Sequence, residues 1–143
     1  MKNLIFSISL ITALGLSSCG NAQSSKEQNE SNTQTAQVIN KDVDVDTFEK
    51  IMSEGDGLLL DVRTDREFAS GHLKGATQID YRSANFEKEV VELDKSVPVY
   101  IYCRSGGRSG EAAHLMKGMG FSEVYNLEGG ILAWERAGKP IIK

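Results

Sequence analysis

Four residues, Val99-Tyr100-Ile101-Tyr102, run unbroken into Cys103 and then into a loop of small residues and arginines, Arg104-Ser105-Gly106-Gly107-Arg108-Ser109. The apolar and aromatic run has the length of a buried strand, and Pro98 opens it. From Arg108 to Met119, the residues Ala112, Leu115, Met116 and Met119 recur at helical spacing. A buried strand, a tight loop and a helix, in that order, point to an α/β chain with a mainly parallel sheet. In such sheets ligands bind at the carboxyl ends of the strands. Cys103 occupies that point.

The rest of the chain fits the same plan. Val43 to Val45 reads as a short edge strand, followed by a helix to about Ser53 capped by Asp46 or Thr47. Leu58 to Val62 reads as a buried strand after a Gly-Asp-Gly turn. Thr64 to Ala69 is a helical turn closed by Gly71, and Ala76 to Ile79 a further strand. Asn85 to Leu93 carries Phe86, Val90 and Leu93 on one helical face. Val124 to Leu127 is a strand, and Gly129-Gly130 leads into a last helix, Ile131 to Ala137. There is no internal repeat. This domain spans residues 38–143, enough for a single core.

The amino-terminal segment has another character. Lys2 precedes 13 largely apolar residues, Leu4 to Leu16. A membrane span needs about 20, so the run fits the apolar region of a secretory signal over residues 1–18. Leu16-Ser17-Ser18-Cys19 resembles the bacterial lipobox, which implies that Cys19 is lipidated and anchors the protein to the extracytoplasmic face of a bacterial membrane. In residues 20–37, 12 of 18 are Gln, Asn, Ser or Thr, with no Leu, Ile, Val or aromatic. Such a segment cannot bury enough apolar surface to offset its ordering entropy, so residues 19–37 read as a lipidated cysteine and a disordered tether.

Charge and cysteine count exclude other classes. The net charge is −4, with no basic stripe for nucleic acid. Two cysteines, Cys19 and Cys103, make no disulfide framework. The two histidines, His72 and His114, stand in no metal-ligand spacing with Cys103, so neither metal nor cofactor is implied.

The loop itself carries the chemistry. Ser105, Gly106, Gly107 and Ser109 are small enough for successive backbone N–H groups to converge as a nest for an anion. The helix that follows adds the positive end of its dipole, and Arg104 and Arg108 add two cations. A cysteine in such surroundings has a pKa lowered to roughly 3.5–7.5, and the thiolate is the nucleophile. A tight strand–helix turn would explain the glycines but not the two arginines.

At this loop the chain resembles the single-domain rhodaneses, in Tyr102-Cys103-Arg104-Ser105-Gly106-Gly107-Arg108-Ser109. Two further stretches resemble that family's signatures. One is Asp61-Val62-Arg63 with Glu67-Phe68 and Gly71-His72-Leu73-Lys74-Gly75-Ala76. The other is Leu127-Glu128-Gly129-Gly130-Ile131 with Ala133-Trp134. The resemblance implies a five-stranded parallel sheet flanked by helices, and sulfur transfer through a persulfide on Cys103. A small anionic donor such as thiosulfate gives up its outer sulfur, and a thiol or cyanide accepts it. Arg104, Ser105, Gly106, Gly107 and Arg108 would then hold the substrate.

Asp61, Arg63 and Ser109 have supporting roles in this reading, although the Asp61–Arg63 pair is equally explained by structural hydrogen bonding. His72 reads as structural, and Trp134, Tyr102 and Met116 as packing residues. Two other classes stay open: a cysteine-dependent phosphatase or arsenate reductase, and a non-catalytic binding module. The resemblance bears on both. The related phosphatases carry Cys-x-x-x-x-x-Arg, one residue longer than the interval from Cys103 to Arg108, and non-catalytic relatives usually lack the cysteine.

Overall fold

The computed structural model describes residues 39–143. The reading of residues 1–37 as signal, Cys19 anchor and tether lies outside them. Side-chain alternation along the central strand explains how the sheet is covered. That strand, β4, is Val99–Tyr102. Val99 and Ile101, with Cys103 in step beyond them, enter one core, which includes Leu60, Val90, Ala112, Met116 and Val124. Tyr100 and Tyr102 enter another with Phe48, Leu59, Leu127, Ile131 and Trp134. Successive strand residues point to opposite faces, so an all-apolar strand must be covered on both sides.

The covering helices follow the sequence. Ile39–Val43 is β1, Val45–Glu54 is α1, Leu58–Asp61 is β2 and Asp65–Ser70 is α2. Thr77–Gln78 is β3 and Phe86–Val90 is α3. After β4 come α4 (Gly107–Gly118), β5 (Glu123–Leu127) and α5 (Gly130–Arg136). Helices α3 and α4 supply the first core and α1 and α5 the second. Phe48 of α1 is fully buried, packed edge-on to the rings of Tyr100 and Trp134. Burying such a side chain contributes about 1.5–3 kcal/mol.

The five strands are parallel, in the order β1-β5-β4-β2-β3. From β2 the chain moves outward to β3; from β4 it moves the opposite way to β5. The order therefore reverses between β2 and β4, which opens a crevice at their carboxyl ends. Arg63 follows one strand and Cys103 the other.

Two differences from the sequence expectation lie at the start of the domain, while β3 (Thr77–Gln78) and α3 (Phe86–Val90) are shorter than the expected Ala76–Ile79 and Asn85–Leu93. The first strand ends at Val43, where Val43–Val45 was expected, and pairs along β5 from Ile39↔Glu123 to Val43↔Leu127. As an edge strand it is only half-buried and carries Lys41 and Asp42 on exposed positions, so no alternation marks it. The cap of α1 is Asp44, not Asp46 or Thr47: its Oδ1 accepts the Thr47 N–H at 2.8 Å. Three good capping residues stand within four positions, and pairing with β5 decides among them.

Candidate active site

The buried polar side chains among the described residues are Asp61, Arg63, Ser109 and Asn126. They surround the carboxyl ends of β2 and β4 and the first turn of α4. Burying polar groups is costly unless they are bonded, so this concentration marks the place where the fold serves something besides stability.

Cys103 directly follows β4 and is 1% exposed. The chain turns back at Gly106, whose φ of 91° suits glycine and whose missing Cβ would stand 3.1 Å from the Gly129 nitrogen. The Gly106 N–H points at Cys103 Sγ, 3.2 Å away. Burial pushes the thiol pKa up, but hydrogen bonds from the Ser109 hydroxyl and N–H and from the N–H groups of Ser105 and Gly106 outweigh it. The net result is a thiol more acidic than an ordinary cysteine.

The cradle is built by drawing carbonyls away from it. The Cys103 carbonyl accepts the Ile131 N–H at 2.9 Å and the Arg104 carbonyl accepts the Leu132 N–H at 3.2 Å. The Gly106 carbonyl accepts the Gly110 N–H at 2.9 Å. In a trans peptide the N–H points opposite to the C=O, so the N–H groups of Arg104, Ser105 and Gly107 turn to the other side. The orphan N–H groups at the start of α5 thus order the loop. Gly130 permits this approach: a Cβ there would lie 2.5 Å from the Cys103 carbonyl oxygen.

The two arginines have different surroundings. Arg104 is exposed and, with Arg63, Glu67, Gly71 and Leu132, lines a cavity of about 190 Å³. Arg108 is clamped to α2: its Nη1 and Nη2 donate to Glu67 Oε2 and Oε1 at 2.8 and 2.7 Å. Arg108 therefore braces the loop, with its charge offset by Glu67. Glu67 also closes a capping box with Thr64. The Arg108 hydrogen bonds hold its pKa down to about 2.

Behind the loop, Asp61 and Arg63 form a closed unit. Arg63 Nε and Nη2 donate to the Asp61 carboxylate at 2.9 and 2.6 Å, and Nη2 also donates to the Gly71 carbonyl at 2.7 Å. The Arg63 guanidinium lies 5.6 Å from the Tyr102 ring centroid. The Tyr102 hydroxyl accepts the Leu73 N–H, and burial, followed by the charge of Asp61, pushes its pKa well up. His72 stacks on Phe68, its Nδ1 3.1 Å from the Phe68 carbonyl. Trp134 is buried, with Nε1 donating to the Pro140 carbonyl. Cys19 lies outside the described residues, among which no His, Cys, Asp and Glu cluster could hold a metal.

Two residues that complete the site carry little signal in the sequence. Glu67 could be found as the fourth residue of a Thr-x-x-Glu capping box, yet its partner Arg108 is 41 positions away. Asn126 is a polar residue at an inward position of Val124-Tyr125-Asn126-Leu127, an unusual place for an amide.

The model of the Rhodanese-like domain matches residues 44–137. The chain belongs to this family. A protein of Allochromatium vinosum named Sulfurtransferase is 38% identical over 94 residues, covering 66% of this chain and 86% of its own length. Thiosulfate sulfurtransferase GlpE of Vibrio cholerae is 34% identical over 99 residues, covering 69% and 92%. The solution structure of a rhodanese-like domain from Anabaena superposes with a TM-score of 0.63 at 25% identity, over 73% of this chain and 80% of that one. At the level of the family, sulfur-transfer chemistry accompanies this rhodanese-like domain.

Proposed function

We propose that the protein is a sulfurtransferase that moves a sulfane sulfur from an anionic donor, thiosulfate or a close analogue, to a nucleophilic acceptor. The carrying observation is the Cys103 sulfur held against the Gly106 N–H at 3.2 Å, in a ring of donors that makes the thiol acidic. In the first half-reaction the thiolate attacks the outer sulfur of thiosulfate. A Cys103 S–S bond forms, the donor's S–S bond breaks, and sulfite leaves with the bonding pair. The loop N–H groups then hold the negative outer sulfur of the persulfide. In the second half-reaction cyanide or a thiolate attacks that sulfur, and the pair of the persulfide bond returns to Cys103. This is covalent catalysis in two steps, in which a thiol more acidic than an ordinary cysteine relies less on a general base.

Mass spectrometry of the purified protein after incubation with thiosulfate tests the reading. One added sulfur atom on Cys103, removed by cyanide with formation of thiocyanate, is the expected result. Persistent absence of that adduct in an alkylatable, folded protein would exclude it.

The lipobox-like Leu16-Ser17-Ser18-Cys19 supports a second element of the proposal. Processing at Cys19 would attach lipid and place the domain at the extracytoplasmic face of a bacterial membrane. Among the described residues no helix is long and apolar enough to cross a membrane.

A further inference from the structure

The carbonyl of Gly106 attracts more donors than it has lone pairs. The Gly110 N–H approaches at 2.9 Å, the Ser109 hydroxyl at 3.1 Å and the Asn126 amide nitrogen at 3.2 Å. A carbonyl oxygen offers two lone pairs, and a serine hydroxyl has one proton to give. Ser109, by its hydroxyl and its N–H, is also among the donors that make the Cys103 thiol more acidic. The hydroxyl can serve the sulfur only when the carbonyl is satisfied by others.

Asn126 is built to satisfy it. The side chain is 3% exposed on β5, beneath the first turn of α4. Its Nδ2 donates to Asp42 Oδ1 at 2.7 Å and to the Gly106 carbonyl. Both neighbours are acceptors, so the amide can face them only with its NH2 group. Its Oδ1 finds no partner among the described residues, a cost that a purely structural position would not need to carry.

We propose that Asn126 is a positioning residue of the sulfur-transfer loop: it occupies the Gly106 carbonyl and thereby releases the Ser109 proton to Cys103 whenever the sulfur is charged. The inference rests on the sulfurtransferase reading for its purpose, but its geometry stands independently. In the uncharged thiol the Ser109 hydroxyl rests on the Gly106 carbonyl. When the thiolate or persulfide forms, the hydroxyl rotates to it, and Asn126 with Gly110 keeps the carbonyl bonded.

The test is the pH dependence of Cys103 alkylation by iodoacetamide, which needs no sulfur donor. Asn126→Leu is expected to raise the midpoint by about one unit, the size of one lost hydrogen bond to a charged atom. Arg104 and Arg108 of the loop, Glu67 of α2 and the Asp61–Arg63 pair at the end of β2 are unchanged, while Asp42 of β1 loses the Asn126 amide, a change that the Ser109→Ala background shares. Turnover should fall up to about tenfold below the new midpoint and recover above it, because one unit of pKa is a factor of ten in thiolate.

In a Ser109→Ala background, Asn126→Leu should add no further shift, since the proton it releases is gone. Gly110→Ala supplies a second, better-folding variant: its Cβ would lie 3.3 Å from Asn126 Nδ2 and press the amide off the carbonyl, while alanine favours the helix. It should shift the midpoint in the same direction by a smaller amount.

An unchanged midpoint in Asn126→Leu overturns the proposal, as does an equal shift with and without Ser109. If Asn126→Leu does not fold, an unchanged midpoint in Gly110→Ala overturns it alone. A shifted midpoint in a protein that forms no persulfide would uphold the positioning role and reject the sulfurtransferase reading instead.

Discussion

Arg108 and Glu67 meet in a two-pronged ion pair that joins the first turn of α4 to the first turn of α2. The pair fixes the far end of the reactive loop. Glu67 has its pKa depressed from 4.5 to about 2, first by the Arg108 hydrogen bonds. A depressed carboxylate contributes stability that is fully present above about pH 4.5 and lost as pH falls through about 2. Both side chains remain partly open to solvent, so the contribution is modest. Glu67→Gln should cost roughly 1 kcal/mol at neutral pH. Denaturant unfolding from pH 7 to pH 2 should show the gap between wild type and variant closing across that acid window.

Arg104 stands apart from this brace. It is exposed beside the cavity that also touches Arg63 and Leu132. Arg104→Ala should leave stability within about 0.5 kcal/mol and raise KM for thiosulfate several-fold. The difference should shrink as salt is added, because an exposed cation acts at screened range. Steady-state kinetics at low and high ionic strength give the answer, and an unaltered KM would show that the anion is held by the backbone alone.

Cys103→Ser should abolish turnover and retain the fold. Oxygen is smaller than sulfur and stays protonated at neutral pH, so the N–H groups lose a more acidic partner rather than gain a clash. Thiosulfate:cyanide assays should return background rates and circular dichroism a wild-type spectrum. The wild type should not hydrolyse aryl phosphates, since Arg108, the arginine that a phosphate would need, is engaged by Glu67.

Gly130→Ala is a sharper probe of the loop than any charge change. The residue sits at φ 58°, and its Cβ would lie 2.5 Å from the Cys103 carbonyl oxygen. Left-handed backbone and overpacking together should cost roughly 2–4 kcal/mol, visible as a lower thermal midpoint. The remaining folded protein should show a raised Cys103 alkylation midpoint, because α5 no longer holds the carbonyls aside.

Cys19→Ala should release the protein from membranes in a bacterial host while the soluble domain keeps full activity. Membrane fractionation with metabolic labelling by a fatty acid measures this. Wild-type protein recovered without lipid in the soluble fraction would rule the anchor out. A single acyl chain binds membranes only marginally, so stable retention requires further chains.

The sequence made the strand into Cys103 and the helix after it legible because the strand is apolar and aromatic throughout, Ala112, Leu115 and Met116 recur at helical spacing, and the loop between them is small and cationic. The same strength of pattern located the other inner strands. It failed at β1, where Lys41 and Asp42 face solvent and pairing with β5 sets the register. Arg104 and Arg108 look alike in sequence, and only the fold separates them, by bringing Glu67 to one and a cavity to the other. Asp61 and Arg63 were ambiguous for a related reason: a buried pair closed upon itself uses the same residue types as a catalytic one. The acidity of the thiol owes most to N–H groups and a hydroxyl, and backbone direction has no letter in a sequence.

The dependence of the loop on α5 has a consequence for how the reactive sulfur comes into being. Ile131, whose N–H holds the Cys103 carbonyl, follows it by 28 positions. Helix α5 is in turn secured by Trp134 on Pro140, and the chain end returns to pair Ile142 with His72. During synthesis the amino-terminal part of a domain emerges first, at roughly 5–20 residues per second. A nascent chain therefore exposes Cys103 as an ordinary, weakly reactive thiol. On the proposed function, the loop carbonyls are drawn aside only once α5 has docked, so the acidity of Cys103 would arrive late in folding.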